Sequence, residues 1–297
     1  MAARTSNLSS AARAQHDGMD WEQLRRSRNV VDRRGGGVGG GLAVGGGGLI
    51  FALLASLLFG GSPLDYLGAG SSSGTQGQVQ QTPANDRNAD FVSAILGDTE
   101  DTWAAIFQKA GRQYNPPRLV LFDGTVNSGC GSASSATGPF YCLLDRQVYM
   151  DLSFFRTLET RLGASGDFAR AYVIAHEIGH HIQNELGILP RVQEQQQRLS
   201  RAQSNALSVR TELMADCLAG VWGHYTAQRG IIDGADVRSA MTAAEAIGDD
   251  RLQQQSQGRV VPDSFTHGSS AQRVAWFQRG LQSGNIDDCD AFSVQRP

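Results

Sequence analysis

The stretch AYVIAHEIGHHIQ, residues 171–183, leaves the chain little freedom in how it folds. It holds three of the six histidines among 297 residues. Gly166 and Asp167 offer a helix start, and Gly187 and Pro190 a stop, so the sequence predicts one helix over 168–186. At about 100° per residue, His176 and His180 fall within roughly 40° of each other, and both imidazoles can reach one ion. Glu177 lies about 100° round from His176, close enough to touch a ligand of that ion without binding it. This is the H-E-x-x-H arrangement, in which two histidines hold zinc and the glutamate is general base. Ala171, Ile174, Ile178 and Ile182 make an apolar stripe on the other side. One face of the helix must be buried, and the other must stay open to chemistry.

A catalytic zinc takes three protein ligands plus a water, so a third is needed. His181 lies about 140° from His176 and Glu185 about 180°, which excludes both. Asp151, His224, Glu245 and His267 remain open. Glu212 is the best candidate: in RTELMADCLAGVWGHY, the residues Glu212, Asp216, Ala219 and Gly223 share a helix face within about 60°. The two small residues let that helix come close to the histidine helix. Glu212 is expected to bind the metal, and Asp216 to accept the second N–H of a liganding histidine. Cys217 projects about 140° from Glu212, which leaves it free for a disulfide.

Elsewhere, RLVLF (118–122) and QVYMDL (147–152) read as strands, and the segment between them as a glycine- and serine-rich loop. In an exported domain Cys130 and Cys142 form a disulfide most simply, and Cys217 and Cys289 can pair likewise; a four-cysteine zinc site lacks C-x-x-C spacing. Helices are expected from Ala89 through ADFVSAILGDTEDTWAAIFQKAG, and over 153–163, 192–229, 235–247 and 269–282.

Before Ala89 the chain reads as anchor and tether. Residues 1–36 form a basic tail, expected in the cytoplasm, whose first 34 residues carry seven arginines against four acids. No charge occurs from Gly35 to Leu64, and LIFALLASLLF lies within that run. With its glycine-rich approach, residues 37–60 are expected as one transmembrane helix, the preceding arginines holding the amino terminus inside. A cleaved signal peptide is the competing reading. Residues 61–88 are a flexible linker, and 89–297 the folded domain outside the cytoplasm. This makes a single-pass protein of the bacterial cell membrane. Net charge is −3, with a basic head on an acidic body, which argues against nucleic acid as a partner. Nothing in the sequence specifies an oligomeric state.

The segments NVVDRRG, GPFYCLLDRQVYMDLSFF, AYVIAHEIGHHIQ, RTELMADCLAGVWGHY and SFTHGSSAQRVAWFQRG cover nearly the whole chain, which resembles the bacterial neutral zinc metallopeptidases, membrane-anchored members of the zincin superfamily. The resemblance implies a zinc-dependent extracytoplasmic peptidase with His176, His180 and Glu212 as ligands and Glu177 catalytic. It also implies an α+β fold, mainly helical, with a small mixed sheet beside the active-site helices. Leu143 stands where that pattern leads one to expect a proline after the cysteine, which affects the local turn only.

The expected mechanism follows from one zinc ion and a peptide or protein substrate. Zinc acidifies its bound water and polarises the scissile carbonyl, while Glu177 takes the water proton and passes it to the leaving amine. His267 is the first candidate to hold the oxyanion, with Tyr149 and Tyr225 behind it as substrate contacts. QVYMDL is read as an edge strand to which an extended substrate adds. The alternative is a membrane-anchored zinc-binding scaffold or pseudo-enzyme with a structural metal.

Overall fold

The computed structural model describes residues 18–35, 86–295 and 297. Six strands are present among them: β1 Val30–Asp32, β2 Arg118–Phe122, β3 Thr125–Ser128, β4 Gly131–Ser134, β5 Phe140–Cys142 and β6 Gln147–Asp151. The α-helices are α1 Arg87–Lys109, α2 Ser153–Thr160, α3 Asp167–Glu185, α4 Ile188–Gln196, α5 Arg201–Gln228, α6 Gly234–Ala246, α7 Asp249–Gln257 and α8 Ser270–Ser283. The fold is α+β and mainly helical with a small mixed sheet, as the family resemblance implies.

The main sheet runs β1-β2-β6-β5, with β1, β2 and β6 parallel and β5 antiparallel to β6, while β3 and β4 form a separate hairpin. Alternation along each strand splits the sheet into two faces. Leu119, Leu121, Val148 and Met150 join the helical core, whereas Val120, Phe122 and Tyr149 pack with Phe140 and Cys142 on the far side. QVYMDL therefore supplies an internal strand, a correction to its reading as an edge. The edge on that side is β5, which the sequence hides because it is three residues long and sits inside a loop-like segment.

The metal-motif helix α3 lies in the middle of the core, with Phe168, Ala171, Tyr172, Ile174, Ile178 and Ile182 inaccessible to solvent. It ends at Gly187, whose φ of 72° needs no Cβ. Pro190 falls in the first turn of α4, where a missing N–H costs little. The single helix expected over 192–229 is two, because Ser200 caps a new start at Arg201 through a capping box with Gln203. Helix α5 touches its neighbours backbone to backbone. A Cβ at Gly179 on α3 would stand 2.8 Å from the Ala215 carbonyl oxygen, and Cβ atoms at Gly220 or Gly280 would collide with the α8 or α5 backbone.

Both expected disulfides are present, Cys130–Cys142 and Cys217–Cys289, with Cα–Cα distances of 5.7 and 5.4 Å. No cysteine is free for a four-cysteine metal site. The second bridge, 72 positions apart, ties the C-terminal segment to α5. A loop of that size corresponds to roughly 4 kcal/mol in the chain-entropy model.

The amino-terminal segment overturns the anchored arrangement. Met19 and Trp21 are buried, and the Trp21 indole N–H donates to Asp167 at 3.1 Å. Strand β1 pairs in parallel with β2 through Val30↔Leu119. The arginines read as orienting a membrane helix instead pair within the domain: Arg25 with Glu100 and Asp101, Arg26 with Asp90, Arg34 with Asp32 and Asp86. Strands of one sheet cannot lie on opposite sides of a bilayer, so a cytoplasmic tail ahead of an external domain is ruled out. Among the described residues no helix is long and apolar enough to cross a membrane. The fold class with a transmembrane helix, and the single-pass localisation built on it, are corrected accordingly. Residues 37–60, on which the span was expected, and 61–85 of the linker lie outside the described residues.

Candidate metal centre

Helices α3 and α5 bring three donors together. One ligand atom each from His176, His180 and Glu212 lies within 4.8 Å of the others. His176 Nε2 is 3.1 Å from Glu212 Oε2, and His180 Nε2 is 3.5 Å from Glu212 Oε1. Two imidazoles and a carboxylate, all offering atoms at one point, are the donor set of a catalytic zinc site, and three leave one place of a tetrahedron free.

The ring orientations fit that use. His176 Nδ1 lies 2.8 Å from Asp216 Oδ1, an acceptor when ionised, so Nδ1 carries the hydrogen and Nε2 faces the centre. His180 Nδ1 lies 3.0 Å from Gln183 Oε1. Asp216 is fully buried and has four donors: Tyr172 Oη at 2.5 Å, His176, and Arg273 through Nε and Nη2, both at 2.9 Å. Arg273 also donates to the Ile247 carbonyl at 3.3 Å and to the Tyr172 oxygen. Its bidentate grip on a carboxylate and these two further bonds hold the buried guanidinium in place.

Electrostatics concentrate around these groups. Burial would push Glu212 upward, but the charge of His180 and the hydrogen bonds of both histidines hold it well below the usual carboxylate range. Burial would lower His176, yet Asp216 and Glu212 outweigh it and raise the imidazole to about 10. A cation is strongly favoured between these two carboxylates. Glu177 goes the other way: its burial dominates and raises its pKa above 4.5, in spite of the neighbouring imidazoles. That is the direction a proton-shuttling carboxyl requires.

These groups line a cavity of about 810 Å³. His176, Glu177, His180 and Val173 come from α3, Glu212 and Thr211 from α5, Leu189 and Val192 from α4, and Phe140 and Tyr141 from β5. His267 joins them from the loop before α8. Its Nδ1 lies 3.2 Å from Asp249 Oδ1, while Asp249 Oδ2 accepts the backbone N–H groups of Thr266, His267 and Gly268 at 2.7, 2.6 and 3.1 Å. Asp249 caps and orients the loop that carries the histidine.

Two expected substrate contacts do not reach the cavity. Tyr149 is on the far face of the sheet, stacked on Phe140 and donating to Asp145 at 2.7 Å. Tyr225 donates to the Gly284 carbonyl at 3.2 Å, away from the donors. Of the acids and histidines left open as third ligand, Asp151 accepts the Ser153 N–H at 2.8 Å, His224 donates to the Leu281 carbonyl, and Glu245 pairs with Arg251. The third histidine of the cluster, His181, has its own task. Its Nε2–H donates to the Asn115 carbonyl at 2.7 Å, and its Nδ1 accepts from Tyr141 of β5 at 3.1 Å. Burial lowers it to about 4, so it stays neutral and fastens the edge strand to the metal-motif helix.

Sequence reasoning missed Arg273, Tyr172, Asp249 and Gln183. Helical spacing could have found Gln183, which lies one turn beyond His180 as Asp216 lies one turn beyond Glu212.

A family model described as "Putative neutral zinc metallopeptidase" matches residues 19–292, and so includes the packed amino-terminal segment. The uncharacterized protein YpfJ of Escherichia coli strain K12 is 50% identical over 283 residues, 92% of this chain and 99% of the relative. The uncharacterized protein Mb2605 of Mycobacterium bovis is 44% identical over 215 residues, 69% of this chain and 72% of the relative. No solved structure matches.

Proposed function

The chain belongs to this family of neutral zinc metallopeptidases, and from that premise we propose that it hydrolyses peptide bonds outside the cytoplasm, with one zinc held by His176, His180 and Glu212. The observation that carries the reading is the convergence of two pre-oriented Nε2 atoms and one carboxylate in a cavity that also holds a buried glutamate. Zinc bound there supplies a Lewis acid that polarises a carbonyl and acidifies water. Glu177 takes a proton from the attacking water and delivers it to the departing amine, and its raised pKa suits both transfers. Its place next to His176 in sequence turns it about 100° away from the donors, which leaves it for proton transfer.

His267 donates to the oxyanion that develops on the scissile carbonyl, and Asp249 sets its ring and favours its charged form. An extended substrate adds to the outer edge of β5, where Phe140 and Tyr141 border the cavity and no described strand pairs. Leu144, 64% exposed at the rim, offers an apolar contact to such a chain. Two disulfides fit an oxidising compartment.

The test uses the full-length chain with Glu177→Gln. Zinc content is expected to stay at one per chain while cleavage of an unfolded protein falls by at least about 10²-fold, the lower end for loss of a general base. Cleavage that survives the substitution removes Glu177 from its role. Zinc-loaded wild type that cleaves no peptide in a broad library sinks the peptidase reading.

A further inference from the structure

We infer that Gln183 is a positioning residue of the metal centre, which fixes the tautomer of His180 and ties that ring to the α5 backbone one residue before Glu212. The inference rests on the zinc reading above and goes beyond it. The Gln183 side chain is fully buried, with both ends of its amide in use. Nε2 lies 2.6 Å from the Thr211 carbonyl oxygen, and Oε1 lies 3.0 Å from His180 Nδ1.

Which atom donates follows from chemistry. A backbone carbonyl can only accept, so the amide NH2 must face Thr211 and the amide oxygen must face His180. The reverse placement would press two oxygens together at 2.6 Å. The His180 partner is then an acceptor, so Nδ1 carries the hydrogen and the lone pair of Nε2 is left for the metal. His176 reaches the same tautomer through Asp216.

Glutamine is suited to this place where a carboxylate is not. An ionised acid could accept from His180 but could not donate to Thr211. It would also add a buried negative charge beside Glu177, Glu212 and Asp216, and the buried guanidinium of Arg273 already pairs with Asp216. A thioether of similar length could do neither. Because Thr211 adjoins Glu212, the amide also sets how far the His180 ring stands from the third donor. Gln183 thus joins the two metal-bearing helices by a side-chain bridge next to the donors.

The experiment compares wild type, Gln183→Met and Gln183→Glu as full-length, oxidised chains. Zinc affinity is read by competition with a chromophoric chelator, and the His180 tautomer by ring ¹⁵N shifts in mildly alkaline buffer with the metal removed. In Gln183→Met, zinc is expected to bind about 10- to 100-fold more weakly, the usual effect of losing a group behind a ligand. The Nδ1–H signature of His180 is expected to give way to a mixture with Nε2–H. Gln183→Glu should keep the Nδ1–H form, because it still accepts from the ring, yet lose affinity through the broken Thr211 contact. Should Gln183→Met fail to fold, the glutamate variant decides by the same two readings. Wild-type affinity together with an unchanged tautomer in the folded variants overturns the inference. A wild type that binds no zinc overturns the zinc reading instead, while the metal-free tautomer still decides the part assigned to Gln183.

Discussion

Asp216 and Asp249 are two buried carboxylates that do the same work for different histidines, and their surroundings make them respond differently to change. Asp216 has a permanent cation, Arg273, as its partner. Arg273→Met would leave the carboxylate buried without its counter-ion, and removing one member of such a pair costs about 3–5 kcal/mol. Urea unfolding should report that loss, and a variant as stable as wild type would show that the pair is not needed. Asp249 has a titratable partner, so its effect is read with pH. Burial alone would lower His267, but the charge and hydrogen bond of Asp249 raise it above 6.5, while Asp249 is itself held below 3.8. The stabilisation from His267 is complete below 6.5 and is lost as pH rises through its raised value; that from Asp249 is complete above 3.8 and is lost as pH falls through its depressed value. Between the two limits the pair is charged. The alkaline limb of kcat/KM should therefore lie above 6.5 and move toward acid in Asp249→Asn, where burial and the charge of Arg273 act on His267 against Glu212 alone. A limb that does not move removes His267 from the mechanism.

The geometry of the centre depends on how closely α3 and α5 approach, and Gly179 permits that approach. A methyl group there meets the Ala215 carbonyl oxygen at 2.8 Å and its Cα at 3.1 Å, both backbone atoms of the helix that carries Glu212. Gly179→Ala should cost about 1–3 kcal/mol as an overpacked contact. It should also separate the donors, so that zinc affinity measured by chelator competition falls at least about tenfold, in line with metal sites that lose a supporting contact. Unchanged affinity would mean that the helices reach the ion without this contact. Helix α7, which supplies Asp249, has no apolar period to announce it: DDRLQQQSQ buries only Asp249, Leu252 and Gln253. The split between α4 and α5 was legible in principle, since Ser200 and Gln203 form a recognisable capping box.

At the scale of the whole fold, the described residues are tied down at both ends. Residues 19–34 complete the sheet and fill the core beside α1, and the Cys217–Cys289 bridge holds the carboxyl end to α5. A fragment restricted to residues 89–297 lacks β1 and the buried Trp21 side chain. It is expected to melt well below the full chain and to be cut rapidly by a protease. Trp21→Ala should by itself cost about 3–5 kcal/mol, the range for emptying a large aromatic site. Equal melting temperatures for fragment and full chain would return the amino-terminal segment to the status of a tail.

What the sequence determined on its own was everything that a single helix encodes. His176, Glu177 and His180 share α3, and Glu212 and Asp216 share α5, because 3.6 residues per turn places side chains by counting alone. The cysteine pairs were legible for a similar reason, there being few ways to join four thiols. Only the tertiary structure decided which strand ends the sheet beside the cavity, that Arg25 and Arg26 pair with α1 acids, and that Arg273, Asp249 and Gln183 stand behind the donors. Those facts depend on contacts between distant segments, such as Arg273 meeting Asp216 across 57 positions, and no local period records them. Charge and hydropathy in residues 18–35 looked like a solvated tail because scattered ion pairs and the buried side chains of Met19 and Trp21 leave no repeating pattern along the chain.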